Sequence, residues 1–240
     1  MWNEVNVAQC LAFCGRRPER ILVVGCGNKG EDIKAFNKLL VPPVIIHGAD
    51  IVEDVGRDYP AENVMYVRAD ATDLPMMSEY YDLAYSFATF EHIRDISSAW
   101  QNMLRVLRKG GILCTVAAPL WMSPYGHHKR DIFDGYPYAH LQYPTPEELL
   151  EFCRIQGLRE HEGIDIVHHV NYMLSDNYFN KHDSQYYLDS ASALQGCTLL
   201  TNSLDRLSDG EAAGHQALVN MGFPEQDLLS VTHRLVAVKS

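Results

Sequence analysis

The chain has 240 residues, 47% of them hydrophobic and 21% charged, with a formal net charge of -11 at pH 7. That length accommodates one large α/β domain with a substantial core, and the composition excludes a disordered or fibrous chain. The acidic balance argues against nucleic acid as a partner, because the basic groupings at 16–20, 105–109 and 129–130 are too short to track a phosphate backbone.

Six scattered cysteines form no CxxC pair and read as reduced thiols of a cytoplasmic protein. The N-terminal MWNEVNVAQCLAF has neither the basic start nor the sustained apolar run of a leader. No later stretch approaches the roughly 20 apolar residues of a membrane span.

In chain order, residues 5–14 suit a short amphipathic helix, and 16–20 lead into the first strand. Apolar, β-rich runs then recur at 21–24, 44–48, 64–67, 82–87 and 112–117, separated by helical or turn-like stretches at 31–40, 52–58 and 97–108. Strands alternating with helices predict an α/β fold with a parallel sheet covered on both faces. Val41-Pro42-Pro43 closes the first of these helices, and Lys109-Gly110-Gly111 separates the last from its strand.

From 119 to 145 the sequence turns aromatic, histidine-rich and proline-rich without a clean period, which reads as a functional loop or lid. Helical signal returns at 146–156, with Thr145 as N-cap and Gly157 as the stop. A strand near 162–169 and a last one at 231–238 then bracket a helical insertion over about 176–228. The expectation is a single domain over 1–240, with its core at 19–120, 146–170 and 229–240.

The stretch GCGNKGEDIKAF follows the first strand with Gly25, Gly27 and Gly30, and the second strand ends in an acid, Asp50, about 25 residues after Gly25. Glycines let a backbone approach a ligand, a following helix start offers free N–H groups, and an acid at a strand end accepts ribose hydroxyls. On its own this pattern is shared by dinucleotide enzymes. The downstream segments VRADATDLP, YYDLAYSFATFEHI and LRVLRKGGILCTVAAP, in that order, make residues 19–120 resemble the class I S-adenosylmethionine-dependent methyltransferases.

That resemblance implies a Rossmann-like, seven-stranded, mostly parallel sheet with an antiparallel last strand, and S-adenosylmethionine as cofactor. It places Gly25 and Gly27 around the methionine and ribose, Asp50 at the ribose, Asp70 and Ala71 at the adenine, and Ser86 and Phe87 at the amino acid moiety, with Asn28, a source of a local hydrogen bond in the turn, and Ile51 completing the expected cofactor-binding set. It also marks two departures. Val23 stands where the family usually has an acid, and Lys29 stands where it commonly has a third glycine.

Methyl transfer is an in-line displacement, so positioning contributes most and an oxygen or nitrogen acceptor also calls for a base. The lid supplies His127 and His128 as base or acceptor-binding residues, and Trp121, Tyr125 and His140 as acceptor contacts, with His92 after the fourth strand as another. The same histidines and aromatics also suit turn capping and a sealed hydrophobic lid. His127 and His128 with Asp131 and Asp134 could also supply metal ligands, but adjacent histidines in an irregular loop without HxxxH or HExxH spacing are a weak sign of a metal.

The function expected is therefore methyl transfer to a small-molecule acceptor, at an oxygen of a sugar-containing or other biosynthetic intermediate. The alternatives are a noncatalytic cofactor-binding partner subunit, suggested by Val23 and Lys29, and a dehydrogenase. The aromatic section containing Tyr172, Tyr178, Phe179, Tyr186 and Tyr187 offers a face for a homodimer.

Overall fold

The structure is a computed structural model that describes residues 2–208 and 214–240. The chain divides into two compact units: Met1–Ala117 with Leu188–Ser203 and Arg234–Ser240, and Ala118–Tyr187 with Leu204–His233. Five βα-type strands open the chain: β1 (Arg20–Val24), β2 (Ile45–Asp50), β3 (Val64–Arg68), β4 (Tyr81–Phe87) and β5 (Leu107–Ala117). With β8 (Cys197–Arg206) and β9 (Ser230–Lys239) they form a seven-stranded, mostly parallel sheet in the order β3-β2-β1-β4-β5-β9-β8.

The order explains where a ligand belongs. From β1 the chain moves outward to β2 and β3, then returns to place β4 on the other side of β1. Open α/β sheets bind ligands at such a switch point, outside the carboxyl ends of the strands. The glycine turn leaves the carboxyl end of β1, and the parallel register aligns Val24 with Ala49 of β2 and Ser86 of β4 in one row.

The first unit is held by a core of fully buried residues that includes Ile21, Val23, Ile33, Phe36, Ile46, Leu83 and Tyr85. These come from alternate positions of β1, β2 and β4 and from the inner face of α2 (Glu31–Leu39), as periods of 2 and 3.6 require. Amphipathic α3 (Ile96–Val106) buries Ile96, Ala99, Trp100 and Met103, with Asp95 capping it by accepting from the Ser98 N–H at 2.9 Å. The indole N–H of Trp100 donates to Thr115 of β5 at 3.0 Å, which satisfies a buried polar pair and ties helix to sheet.

In the second unit, α5 (Pro146–Gln156) starts with the capping box of Thr145 and Glu148 and ends at Gly157 with φ 75°, as its sequence predicts. The region around 162–169 differs from the expected strand. It holds a two-residue hairpin, β6 (Glu160–His161) against β7 (Ile164–Asp165), and then helix α6 (Ile166–Leu174). Asp165 caps that helix by accepting from Val167 N–H at 2.7 Å, and the buried set Ile166, His169, Val170 and Met173 has helical spacing that a strand reading overlooks.

The expected helical insertion also needs correction. Helices α7 (Ser184–Ser192), α8 (His215–Asn220) and α9 (Glu225–Leu229) lie within it, but β8 occupies Cys197–Arg206, where CTLLTNSLDR begins with alternating burial. Residues 209–213 of that insertion lie outside the described residues. The strand count of seven is therefore right while one of its members comes from a different segment.

Candidate functional site

In the first unit, Gly25 has φ 78° and Gly27 has φ 59°, left-handed conformations that favour glycine. Their second constraints differ. A Cβ on Gly25 would meet Thr89 Oγ1 at 1.9 Å, whereas a Cβ on Gly27 would meet nothing within 4 Å. Gly25 is thus required by packing against the segment after β4, and Gly27 faces open space.

Asp50 holds this turn. Its Oδ2 accepts from Gly27 N–H at 2.7 Å and its Oδ1 accepts from Val52 N–H at 3.1 Å. The Gly25 N–H donates to Ala49 O at 2.8 Å, while Gly27 O and Asn28 O accept from Gly56 and Asp58 N–H, both at 2.9 Å. The carboxylate keeps lone pairs beyond those two bonds, so the same group can accept ribose hydroxyls.

These bonds bear on the two departures. Val23 is fully buried in β1, so no acceptor exists there, and the acid at the end of β2 supplies the anchoring bond instead. Lys29 is exposed, and its charge adds to the Arg57 hydrogen bond in holding the Asp58 carboxyl below its ordinary range. The ammonium is therefore balanced by a neighbouring acid.

Next to Asp50, whose carbonyl accepts from Ala69 N–H at 2.8 Å, Asp70 folds into a local turn by accepting from the N–H and hydroxyl of Thr72 at 2.8 and 2.7 Å. Ala71 is buried beside it, and Ile51 is exposed with its carbonyl bonded to the Arg68 guanidinium at 3.0 Å. Ser86 is fully buried, and among the described residues its hydroxyl has no hydrogen-bond partner. An orphaned hydroxyl in the row of the glycine turn, open space at Gly27 and a carboxylate at the strand end together fit an adenosyl and amino-acid ligand. Phe87 is half-buried, and its carbonyl accepts from the Thr89 hydroxyl at 3.2 Å. His92 lies in a 3-10 turn, Phe90–His92, with its Nε2 3.8 Å from the buried Glu91 carboxylate.

In the second unit the five lid residues come together around a ring cluster. Trp121 packs edge-on to His140 at 4.6 Å between centroids, His140 to His127 at 4.9 Å, and His127 to Tyr125 at 6.0 Å. Phe179 bridges Trp121 and His128 at 5.2 and 5.1 Å. His127 and His140 are buried, and burial is the main cause that pushes His140 down to about 4 and His127 well below the ordinary imidazole range.

Backbone contacts decide which nitrogen of each neutral ring carries its proton. Lys129 N–H donates to His127 Nδ1 at 3.0 Å, so His127 is protonated at Nε2. His140 Nε2 meets Trp121 O at 2.7 Å, so it donates there and leaves Nδ1 as an acceptor. His127 therefore has no lone pair to offer as a base. His128, in the left-handed region at φ 60°, instead lines a cavity of ≈ 730 Å³ with Tyr125. The neighbouring acids are engaged elsewhere, Asp131 with His161 at 3.1 Å and Asp134 with Arg130 at 3.7 Å.

Sequence reasoning missed Thr89 and the link from Asp50 to Gly27. Thr89 follows Ala88, a non-glycine residue at φ 50°, and nothing in SFATFEHI marks that turn. The Asp50 link spans 23 residues and was open to inference only from the missing acid at Val23. Among the described residues, no helix is long and apolar enough to cross a membrane.

Residues 22–115 match the family described as Methyltransferase domain. The chain is 29% identical over 133 residues to the ubiquinone/menaquinone biosynthesis C-methyltransferase UbiE of Vibrio parahaemolyticus, a match covering 52% of this chain and 50% of that protein. It is 29% identical over 162 residues to the O-methyltransferase resE of Aspergillus sclerotiorum, covering 63% and 59%. The chain thus spans about half the length of the curated relatives it matches first. Its fold is similar to that of an S-adenosylmethionine-dependent methyltransferase from Mesorhizobium loti, with a TM-score of 0.55, 16% identity and coverage of 97% of this chain and 96% of that one.

Proposed function

We propose that this chain, whose residues 22–115 carry a methyltransferase domain, transfers a methyl group from S-adenosylmethionine to an oxygen of a small-molecule acceptor, a sugar-containing or other biosynthetic intermediate. The observation that carries the reading is the glycine turn at the β1–β4 switch point, open at Gly27 and fastened by Asp50. When bound, the cofactor supplies a methyl group activated by a sulfonium.

The chain's own residues bind and orient. Gly25 and Gly27 let the turn approach the ligand, with Asn28 and Ile51 flanking it. Asp50 accepts from the ribose, Asp70 and Ala71 frame the adenine, and Ser86 and Phe87 face the amino acid moiety. Trp121, Tyr125 and His140 shape the acceptor's surroundings, and His92 is a further acceptor contact.

His128 takes the acceptor's proton. It is the one of the two adjacent histidines that lines the cavity, and a left-handed backbone at a non-glycine residue is stored strain of the kind found at functional positions. His127 instead commits its Nδ1 lone pair to the Lys129 N–H and holds the loop. The balanced charge of Lys29 and the anchoring by Asp50 favour turnover over a noncatalytic partner role.

Calorimetric titration with S-adenosylmethionine and S-adenosylhomocysteine tests the reading, and absence of binding to both would sink it. Acceptor-dependent release of S-adenosylhomocysteine then separates an enzyme from a binding subunit.

A further inference from the structure

The cavity of the second unit is framed by Pro119, Pro124 and Pro137 together with Tyr125, His128 and Arg130. At ≈ 730 Å³ it falls within the range of small-molecule pockets. Proline lacks an N–H and fixes its own φ, so these walls are stiff and poor in hydrogen-bond donors. Ser123, which also lines the cavity, donates its hydroxyl proton to Leu120 O at 2.7 Å, and Leu207 and Val231 are apolar, so polar recognition falls chiefly to Tyr125, His128 and Arg130.

Arg130 is seated over the face of Tyr125, its guanidinium carbon 4.9 Å from the ring centroid. A cation at that distance is held by the ring quadrupole, and the arrangement orients a planar fork of N–H donors. The ion pair to Asp134 competes weakly: it spans 3.7 Å, longer than a hydrogen bond, between side chains that are 72% and 75% exposed. A ligand carboxylate can take its place with two parallel, charge-assisted bonds.

The chain's overall charge of -11 repels anions at long range, so any preference for an anion at this cavity must be local. Arg130 is the sole Lys or Arg among the lining residues, which suits a single carboxylate and falls short of what a phosphate dianion asks.

We propose that this cavity binds an aromatic acid, with Arg130 gripping the carboxylate and Tyr125 lying along the ring. The inference rests on the reading of His128 and Tyr125 as acceptor contacts, and narrows the acceptor from a biosynthetic intermediate at large to one carrying a carboxylate.

The test uses the full chain with 4-hydroxybenzoate and its neutral isostere 4-hydroxybenzamide, each followed by ligand-detected NMR and calorimetry, with S-adenosylhomocysteine titrated in the same samples. The acid should bind at least about tenfold tighter than the amide, the scale of one charge-assisted contact. Arg130→Gln should erase that preference and leave the amide unchanged, Arg130→Lys should restore part of it, and Tyr125→Ala should weaken both probes.

An acid that binds no tighter than the amide, a preference that survives Arg130→Gln, or no binding of either probe overturns the proposal. Should S-adenosylhomocysteine bind while the acid preference fails, the methyl-donor reading stands without this inference. Should the acid preference hold while neither cofactor form binds, the methyltransferase reading fails and the aromatic-acid site remains.

Discussion

Removing the Asp50 carboxylate separates its anchoring of the turn from its proposed role at the ribose. Asp50→Ala deletes the acceptor of Gly27 N–H at 2.7 Å and of Val52 N–H at 3.1 Å. The second bond is local and reforms with water, so only the first, between β2 and the turn after β1, is counted. A hydrogen bond to a charged group contributes about 1.5–3 kcal/mol, and for this half-buried carboxylate about 2 kcal/mol is reasonable. A chain of this size shifts its Tm by about 2–4 °C per kcal/mol, so differential scanning fluorimetry should show a fall of roughly 4–8 °C. Affinity for S-adenosylhomocysteine should drop further, by about 10- to 100-fold in calorimetry, because ribose contacts are lost together with the order of the turn. Asp50→Asn should fall between, since it keeps one acceptor oxygen and sets an amide donor where the second stood. An unchanged Tm with weakened affinity would refute the anchoring role, and no change in either would refute the site.

The two glycines should respond differently to the same methyl group. Gly25→Ala drives a Cβ into Thr89 and should destabilise by about 3 kcal/mol or more in chemical denaturation, whereas Gly27→Ala should cost about 1 kcal/mol of left-handed strain yet reduce S-adenosylhomocysteine affinity more than tenfold. His128→Ala should lower kcat by ~10²-fold or more, while His127→Asn, which keeps an acceptor for Lys129 N–H, should retain most of it; equal losses would return the base to either histidine. Burial pushes the Asp32 carboxyl up to about 6, against the hydrogen bond that Asn3 donates to it at 2.8 Å. The folded state then holds that proton more tightly than the unfolded state, so the contribution is fully present below about pH 4 and lost as pH rises through about 6. Asp32→Asn should accordingly stabilise the chain by about 2–3 kcal/mol at about pH 8 and by almost nothing at about pH 4, read from urea unfolding at the two pH values. His140, held down to about 4 chiefly by burial, acts in the opposite sense: its contribution is lost as pH falls from about 6.5 toward 4, and His140→Gln should flatten that part of the profile.

The centre of the sheet was legible because β1, β4 and most of β5 are buried on both faces and read as near-continuous apolar runs, as YDLAYSF does in β4. The segments that misled are those where short-range chemistry competes with period. In EGIDIVHHV an alternating start hides a helix, since Asp165 acts as a cap and not as an outward strand residue. In CTLLTNSLDR, Asn202 and Ser203 weaken the strand signal, yet Asn202 donates to Leu188 O at 2.9 Å in the same unit. Pattern reading weighs each residue's average preference, and here the particular partner decides.

For the site, spacing located the glycines and the acids but not what each does. Gly25 and Gly27 are equivalent in any motif, and both adopt positive φ, yet one is excluded from bearing a side chain by Thr89 and the other by nothing in the chain at all. Openness alone marks no ligand, since Gly135, Gly157 and Gly163 are equally open at positive φ; at Gly27 it counts because the Asp50 carboxylate and the orphaned Ser86 hydroxyl lie at the ends of the neighbouring strands. His127 and His128 are neighbours with identical chemistry, and only the direction of the Lys129 N–H bond shows that one has its lone pair committed to the backbone. Lys29, the residue that most sets this turn apart from the resembling family, is exposed and its charge helps lower the Asp58 carboxyl, so the departure lies at the surface of the turn while Asp50 anchors the turn through Gly27 N–H.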